Sequence, residues 1–80
     1  MKIEILGVPC PQCELATEVA RRAVAMLGIA AEVIHIPTME RILAEGVMMT
    51  PGIFINGREK CQGRVPSVDE FAAWIAEESK

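Results

Sequence analysis

The sequence is poor in aromatic residues, has no cluster of basic residues and contains no long apolar run. With two Phe, one Trp and no Tyr among 80 residues, its core has to be assembled from Ile, Val, Leu, Ala and Met. Those suffice, because 51% of the chain is hydrophobic, a content that excludes disorder. The largest basic grouping is Arg21-Arg22 and the formal net charge is −3, so neither nucleic acid nor an anionic membrane is the expected partner. No stretch approaches the roughly 20 apolar residues of a membrane span. Met1-Lys2 leads straight into a strand-like run without a secretory-signal pattern, which makes the cytoplasm the expected compartment. Cysteine is scarce too. Three cysteines cannot pair evenly, so a reactive or metal-binding pair is a better account than a disulfide framework. A chain of this length predicts one domain over residues 1–80, acting as a monomer.

Against that background Cys10-Pro11-Gln12-Cys13 stands out, because it lies where an apolar strand-like run (Ile3, Ile5, Leu6) gives way to a helical pattern. A thiol at the first turn of a helix faces unpaired backbone N–H groups and the positive end of the helix dipole, both of which favour the thiolate. Two cysteines at this spacing can close a disulfide ring across one helical turn. Cys10, nearer the helix start and solvent, is the expected nucleophile; Cys13, one turn deeper, is the expected resolving thiol. Pro11 suits the first helical position, where its missing N–H costs nothing, and Gln12 completes the motif as an accessory residue.

Periodicity fills in the rest. A first strand is predicted over residues 2–7 and a helix over 11–27, with Ala16, Val19, Ala20, Ala23, Val24 and Leu27 as its buried stripe, Glu18 and Arg22 pairing outside, and Gly28 ending it. Residues 31–36 form a second strand. Thr38 then caps a short helix that turns Met39, Ile42 and Leu43 inward. Residues 52–55 and 58–62 make a hairpin about Asn56-Gly57, and Ser67 with Glu70 form the capping box of a last helix burying Val68, Phe71, Ala72 and Ile75. The order is βαβαββα. Such an order predicts an α/β fold: a four-stranded mixed sheet with helices on both faces and the first strand at its centre.

Met1-Lys2-Ile3 opening a strand, Gly7 ahead of the CxxC, the Gly57 hairpin and Gly63-Arg64 before the last helix resemble the thioredoxin-fold superfamily in its minimal, glutaredoxin-like form. The resemblance is closest to the small archaeal and bacterial thioredoxin-like proteins known as redox-active disulfide proteins, and it covers nearly the whole chain. It implies a thiol–disulfide oxidoreductase without a cofactor, acting on protein disulfides and re-reduced by a thioredoxin-reductase-like electron donor. It also implies that Thr50-Pro51 is a cis pair opposite the cysteines, with the Thr50 backbone docking substrate; Met48 and Met49 are expected either to flank that groove with adaptable apolar contact or to pack as ordinary loop residues. Glu4, six residues before Cys10, stands where thioredoxins carry a buried Asp that assists proton transfer; the substitution departs from that pattern, and Glu4 is expected to be a solvated or partly buried strand glutamate. Glutathione stays open: Gly63-Arg64 offers N–H groups and a charge to a carboxylate, whereas the tyrosine and lysine common around glutaredoxin cysteines are missing.

Other residues carry less. If Ile55 pairs with Arg58, Cys61 falls opposite Gly52, and one intervening strand places it about 10 Å from the end of the first strand, beyond disulfide reach. Cys61 is thus expected to be a bystander, the alternative being an accessory redox or dimer-forming thiol. His35 is expected far from the cysteines, and Trp74 is expected to cap the core, with Gly7-Val8-Pro9 replacing the aromatic shelf of thioredoxins. The alternative from another class is a soft-metal chaperone module, which also opens on Gly-x-x-Cys-x-x-Cys but continues βαββαβ.

Overall fold

Strand β1 (Lys2–Leu6) is interior because its residues are covered on both sides: Ile3, Ile5 and Leu6 are fully buried, and Glu4 is nearly so. The structure, a computed structural model, describes residues 1–8 and 10–79. After β1 come α1 (Pro11–Leu27), β2 (Glu32–Ile36), α2 (Met39–Ala44), β3 (Gly52–Ile55), β4 (Arg58–Gln62) and α3 (Val68–Glu78), the βαβαββα order that periodicity predicts. The sheet is ordered β2-β1-β3-β4, with β2 parallel to β1 and the other pairings antiparallel. Parallel pairing matters for the site, since it puts the carboxyl ends of β1 and β2 side by side where the chain leaves for α1.

Alternation along the strands divides the core in two. Ile3, Ile5, Ile53 and Ile55 face Ala16, Ala20 and Ala23 of α1 and Phe71 and Ile75 of α3. On the other face Leu6 and Phe54 meet Ile42 of α2 and Val47. Small alanines let α1 lie close on the sheet. Its expected stripe holds except at Leu27, which is 39% exposed: a 17-residue helix is about 26 Å long and outruns five-residue strands of about 17 Å. Helix α2 departs further from expectation. Only Ile42 is buried, while Met39 and Leu43 are 53% and 68% exposed, because six residues give fewer than two turns and a single residue reaches the cluster.

Asn56 and Gly57 both have positive φ (52° and 82°), as a tight hairpin turn requires. Beyond it a β-bulge between Ile53 and Phe54 shifts the register, so Cys61 pairs with Ile53 and Gln62 with Gly52. This corrects the expected pairing of Cys61 with Gly52. The extra residue is Lys60, whose ammonium bonds Glu77 and Glu78 of α3 at 3.1 and 2.8 Å. One inserted residue moves Cys61 onto the face of α1 and α3, where it packs against the larger core cluster.

Helix α3 starts on the expected capping box: Ser67 Oγ accepts from the Glu70 N–H, and the Glu70 carboxylate accepts from the Ser67 N–H, each at 3.1 Å. Arg64 grips the same carboxylate with two nitrogens, holding its pKa down at about 2. A depressed carboxylate contributes stability above its unfolded value and loses it as pH falls through the folded one. Glu70→Gln keeps the box but not the ion pair, so its melting temperature should lie modestly below wild type at neutral pH, with the two curves converging toward pH 2. A gap that persists in acid would assign the difference to something other than the ion pair.

Candidate functional site

Cys10 is the N-cap of α1: its backbone is extended, its Sγ accepts a 3.3 Å hydrogen bond from the Cys13 N–H, and Pro11 occupies the first turn. The Cys13 side chain points inward and is fully buried. The two sulfurs lie 3.0 Å apart, close enough for one thiol to hydrogen-bond the other and well short of a covalent bond. This geometry splits their acidities. Hydrogen bonds from the Cys13 thiol and backbone N–H, with help from the Gln12 backbone, hold the Cys10 pKa below the usual thiol value. Burial, followed by the Cys10 sulfur beside it, pushes Cys13 up to about 12. Thr17 secures the turn by donating to the Cys13 carbonyl at 2.9 Å.

Gly7 forms the floor beneath Cys13. A Cβ added there would fall well inside contact distance of Cys13 Sγ and 3.2 Å from Thr50 Cβ, so a glycine is what lets sheet, helix and the 50–51 loop meet. Sequence reading lists Gly7 only as a marker of resemblance; its position directly between a strand end and the CxxC was the available signal. Thr50 is half-buried against the same sulfur and Pro51 is buried, their peptide bond being cis. Met48 and Met49 stand 88% and 62% exposed just before them.

A further anchor of that loop escaped sequence reading. Gln62 Oε1 accepts from the backbone N–H groups of Met48 and Met49 at 2.9 and 3.1 Å, and the Gly63 N–H donates to the Pro51 carbonyl at 3.0 Å. Gln62 in turn donates to Glu59. The end of β4 therefore braces the segment facing the cysteines, an arrangement that no local spacing announces.

Several candidates stand elsewhere. Glu4 lies on the α2 face of the sheet, opposite α1, where Arg41 pairs with it at 3.2 Å and Lys2 at 3.9 Å. A strand residue between Ile3 and Ile5 cannot share their face, so the offset of six from Cys10 does not bring this carboxylate beneath Cys13. Arg64 is engaged by Glu70, and Cys61 sits under α3 with its pKa raised by burial. Trp74 meets Phe71 edge to face at 5.7 Å and covers the core as expected. Of the Gly7-Val8-Pro9 segment, Val8 is exposed and Pro9 lies outside the described residues. His35 requires a correction. The parallel register sets it beside Ile5, and its Nε2 lies 2.8 Å from the Gly7 carbonyl, next to the cysteine site rather than far from it.

A half-exposed thiol of lowered pKa touching a buried one of raised pKa is equipped for thiol–disulfide exchange, in which one sulfur attacks and the other displaces. The βαββαβ connectivity of the soft-metal chaperone alternative does not match the observed order, in which α2 follows β2 and the last described element is α3. Among the described residues no helix is long and apolar enough to cross a membrane. Comparison with known proteins agrees with the site. The thioredoxin domain family profile matches residues 1–76. A thioredoxin of Methanothermobacter thermautotrophicus is 43% identical over 71 residues, covering 89% of this chain and 92% of its own. A thioredoxin of Methanocaldococcus jannaschii is 38% identical over 69 residues, covering 86% and 79%. In fold, the chain is similar to reduced Escherichia coli glutaredoxin, with a TM-score of 0.57 and 21% identity over 99% of this chain and 98% of that one. On the strength of its fold, its paired thiols and these relatives, the chain belongs to the thioredoxin domain family and is a thiol–disulfide oxidoreductase.

Proposed function

We propose that the chain, as one domain and a monomer in a reducing compartment such as the cytoplasm, reduces protein disulfides through a Cys10–Cys13 couple. The observation that carries this reading is the split acidity of two sulfurs 3.0 Å apart. The Cys10 thiolate attacks one sulfur of the substrate disulfide; a Cys10–substrate bond forms, the substrate S–S bond breaks, and the displaced thiolate takes up a proton. Cys13 then gives up its proton and attacks Cys10 Sγ. The mixed disulfide breaks, the second substrate sulfur leaves as a thiolate, and two electrons have passed from the dithiol to the substrate. A thioredoxin-reductase-like donor returns them.

Substrate docking is assigned to Thr50 and Pro51, because Thr50 lies against the Cys13 sulfur while Met48 and Met49 offer adaptable apolar contact beside it. Pro11 and Gln12 act through the helix start, the one by opening α1 and the other through its backbone beside Cys10. A protein disulfide is favoured over glutathione, since the Arg64 guanidinium that would meet a glutathione carboxylate is already held by Glu70 at 2.6 and 2.9 Å.

Oxidation tests the couple. Treated with a stoichiometric thiol oxidant and mapped by mass spectrometry, the folded monomer should lose two thiols to a Cys10–Cys13 bridge and keep Cys61 free to alkylate. A main product in which Cys61 is bridged would remove the assignment.

A further inference from the structure

The end of β2 grips Gly7 from both sides. The Gly7 N–H donates to the Ile36 carbonyl at 3.0 Å, and the Gly7 carbonyl faces His35 Nε2 at 2.8 Å. A carbonyl only accepts, so Nε2 carries the hydrogen and donates it. Gly7 in turn is the surface against which the Cys13 sulfur rests, with Thr50 closing the other side. Three things thus meet on one residue: an imidazole on the edge strand, the buried thiol, and the loop facing it.

Building on the proposed Cys10–Cys13 cycle, we infer that His35 is a positioning residue for the resolving step, holding the Gly7 turn in place so that the Cys13 sulfur stays aimed at Cys10. Attack and release lean on the Gly7 floor unequally. Cys10 shares the Cys13 thiol contact but is also held by the α1 backbone N–H at the helix start, which does not involve β2. Cys13 is walled by Gly7, so loss of the His35 bond frees one side of its floor. In the resolving step the Cys13 thiol loses its proton, its sulfur bonds to Cys10 Sγ, and the Cys10–substrate bond breaks to release the substrate thiolate. A displacement of this kind is sensitive to sub-ångström misplacement, and a loosened floor should slow it on the order of tenfold. A residue that merely satisfies a carbonyl at a sheet end would alter stability without dividing the two steps.

The experiment follows both steps by quenched-flow mass spectrometry with a protein disulfide such as insulin, comparing wild type, His35→Phe and His35→Gln. The Phe variant keeps a ring and removes the donor; the Gln variant restores an N–H donor of similar reach. Expected are near wild-type formation of the Cys10–substrate species in both, about tenfold slower release in the Phe variant, and substantial recovery in the Gln variant. Release at the wild-type rate in His35→Phe overturns the inference, as does equal slowing of both steps or a Gln variant as slow as Phe. Wild-type protein that never forms the Cys10–substrate species would overturn the underlying cycle and this inference together. Should His35→Phe fail to fold, NMR of the wild type decides: a His35 Nε2–H that exchanges slowly and shifts between dithiol and disulfide forms supports the role, and one that is fast-exchanging or insensitive to redox state contradicts it.

Discussion

Replacing Cys10 by serine is expected to reduce protein-disulfide reduction to the uncatalysed background, the largest loss any single substitution should produce. The buried Cys13, with its pKa near 12 and no exposed surface, cannot meet a substrate in its place. Cys13→Ser behaves differently. It retains the half-exposed Cys10 and the N–H donors at the helix start, so it should still attack, then stall as a mixed disulfide for want of a resolving thiol. Its turnover should be negligible and its trapped partner identifiable by mass spectrometry. Trapping by Cys10→Ser, with sustained turnover by Cys13→Ser, would reverse the roles.

Gly7→Ala is expected to have the next largest effect, although it adds one methyl group. The new Cβ would collide with the Cys13 sulfur and press on Thr50, and neither neighbour can yield cheaply, the one being a fully buried side chain and the other preceding buried Pro51. Overpacking of this kind costs about 1–3 kcal/mol of stability. A resulting shift of about 1 Å between the sulfurs could lower the exchange rate on the order of a hundredfold. Thermal melts and insulin-reduction rates would show both losses together. Wild-type activity in Gly7→Ala would mean that the floor beneath Cys13 is softer than its contacts imply.

How much of this was legible beforehand follows from which physical signals are local. Helix α1 could be bounded because Pro11 and Gly28 mark its ends chemically, and the Asn56-Gly57 turn because its positive φ values demand such residues. The split between Cys10 and Cys13 was legible for the same reason, as a consequence of depth along one helix. Long-range placement was not. His35 looked remote along the chain, and only the parallel register of β1 and β2 brings it to Gly7. The Lys60 bulge that turns Cys61 toward α3 involves acceptors 17 and 18 residues away, beyond what an alternating strand pattern can convey. Glu4 matches the thioredoxin aspartate in offset alone, and strand alternation between Ile3 and Ile5 turns it away from α1 as a partly buried strand glutamate paired with Arg41. The exposed Met39 and Leu43 show the limit of helical periodicity in six residues, where several apolar side chains compete for one buried position.

The account rests on the unequal sulfurs of one dithiol, and pH-resolved alkylation of the reduced wild-type protein tests that most directly. Thiolates, not thiols, react, so each cysteine should label as pH rises through its own pKa. With iodoacetamide pulses read by peptide mass spectrometry, Cys10 should label first, with a midpoint below the ordinary thiol value of 9.0. Cys13 should remain protected until the pH approaches about 12 or the protein unfolds. Labelling of Cys13 before Cys10, or of both with one shared midpoint near 9.0, would contradict the central claim.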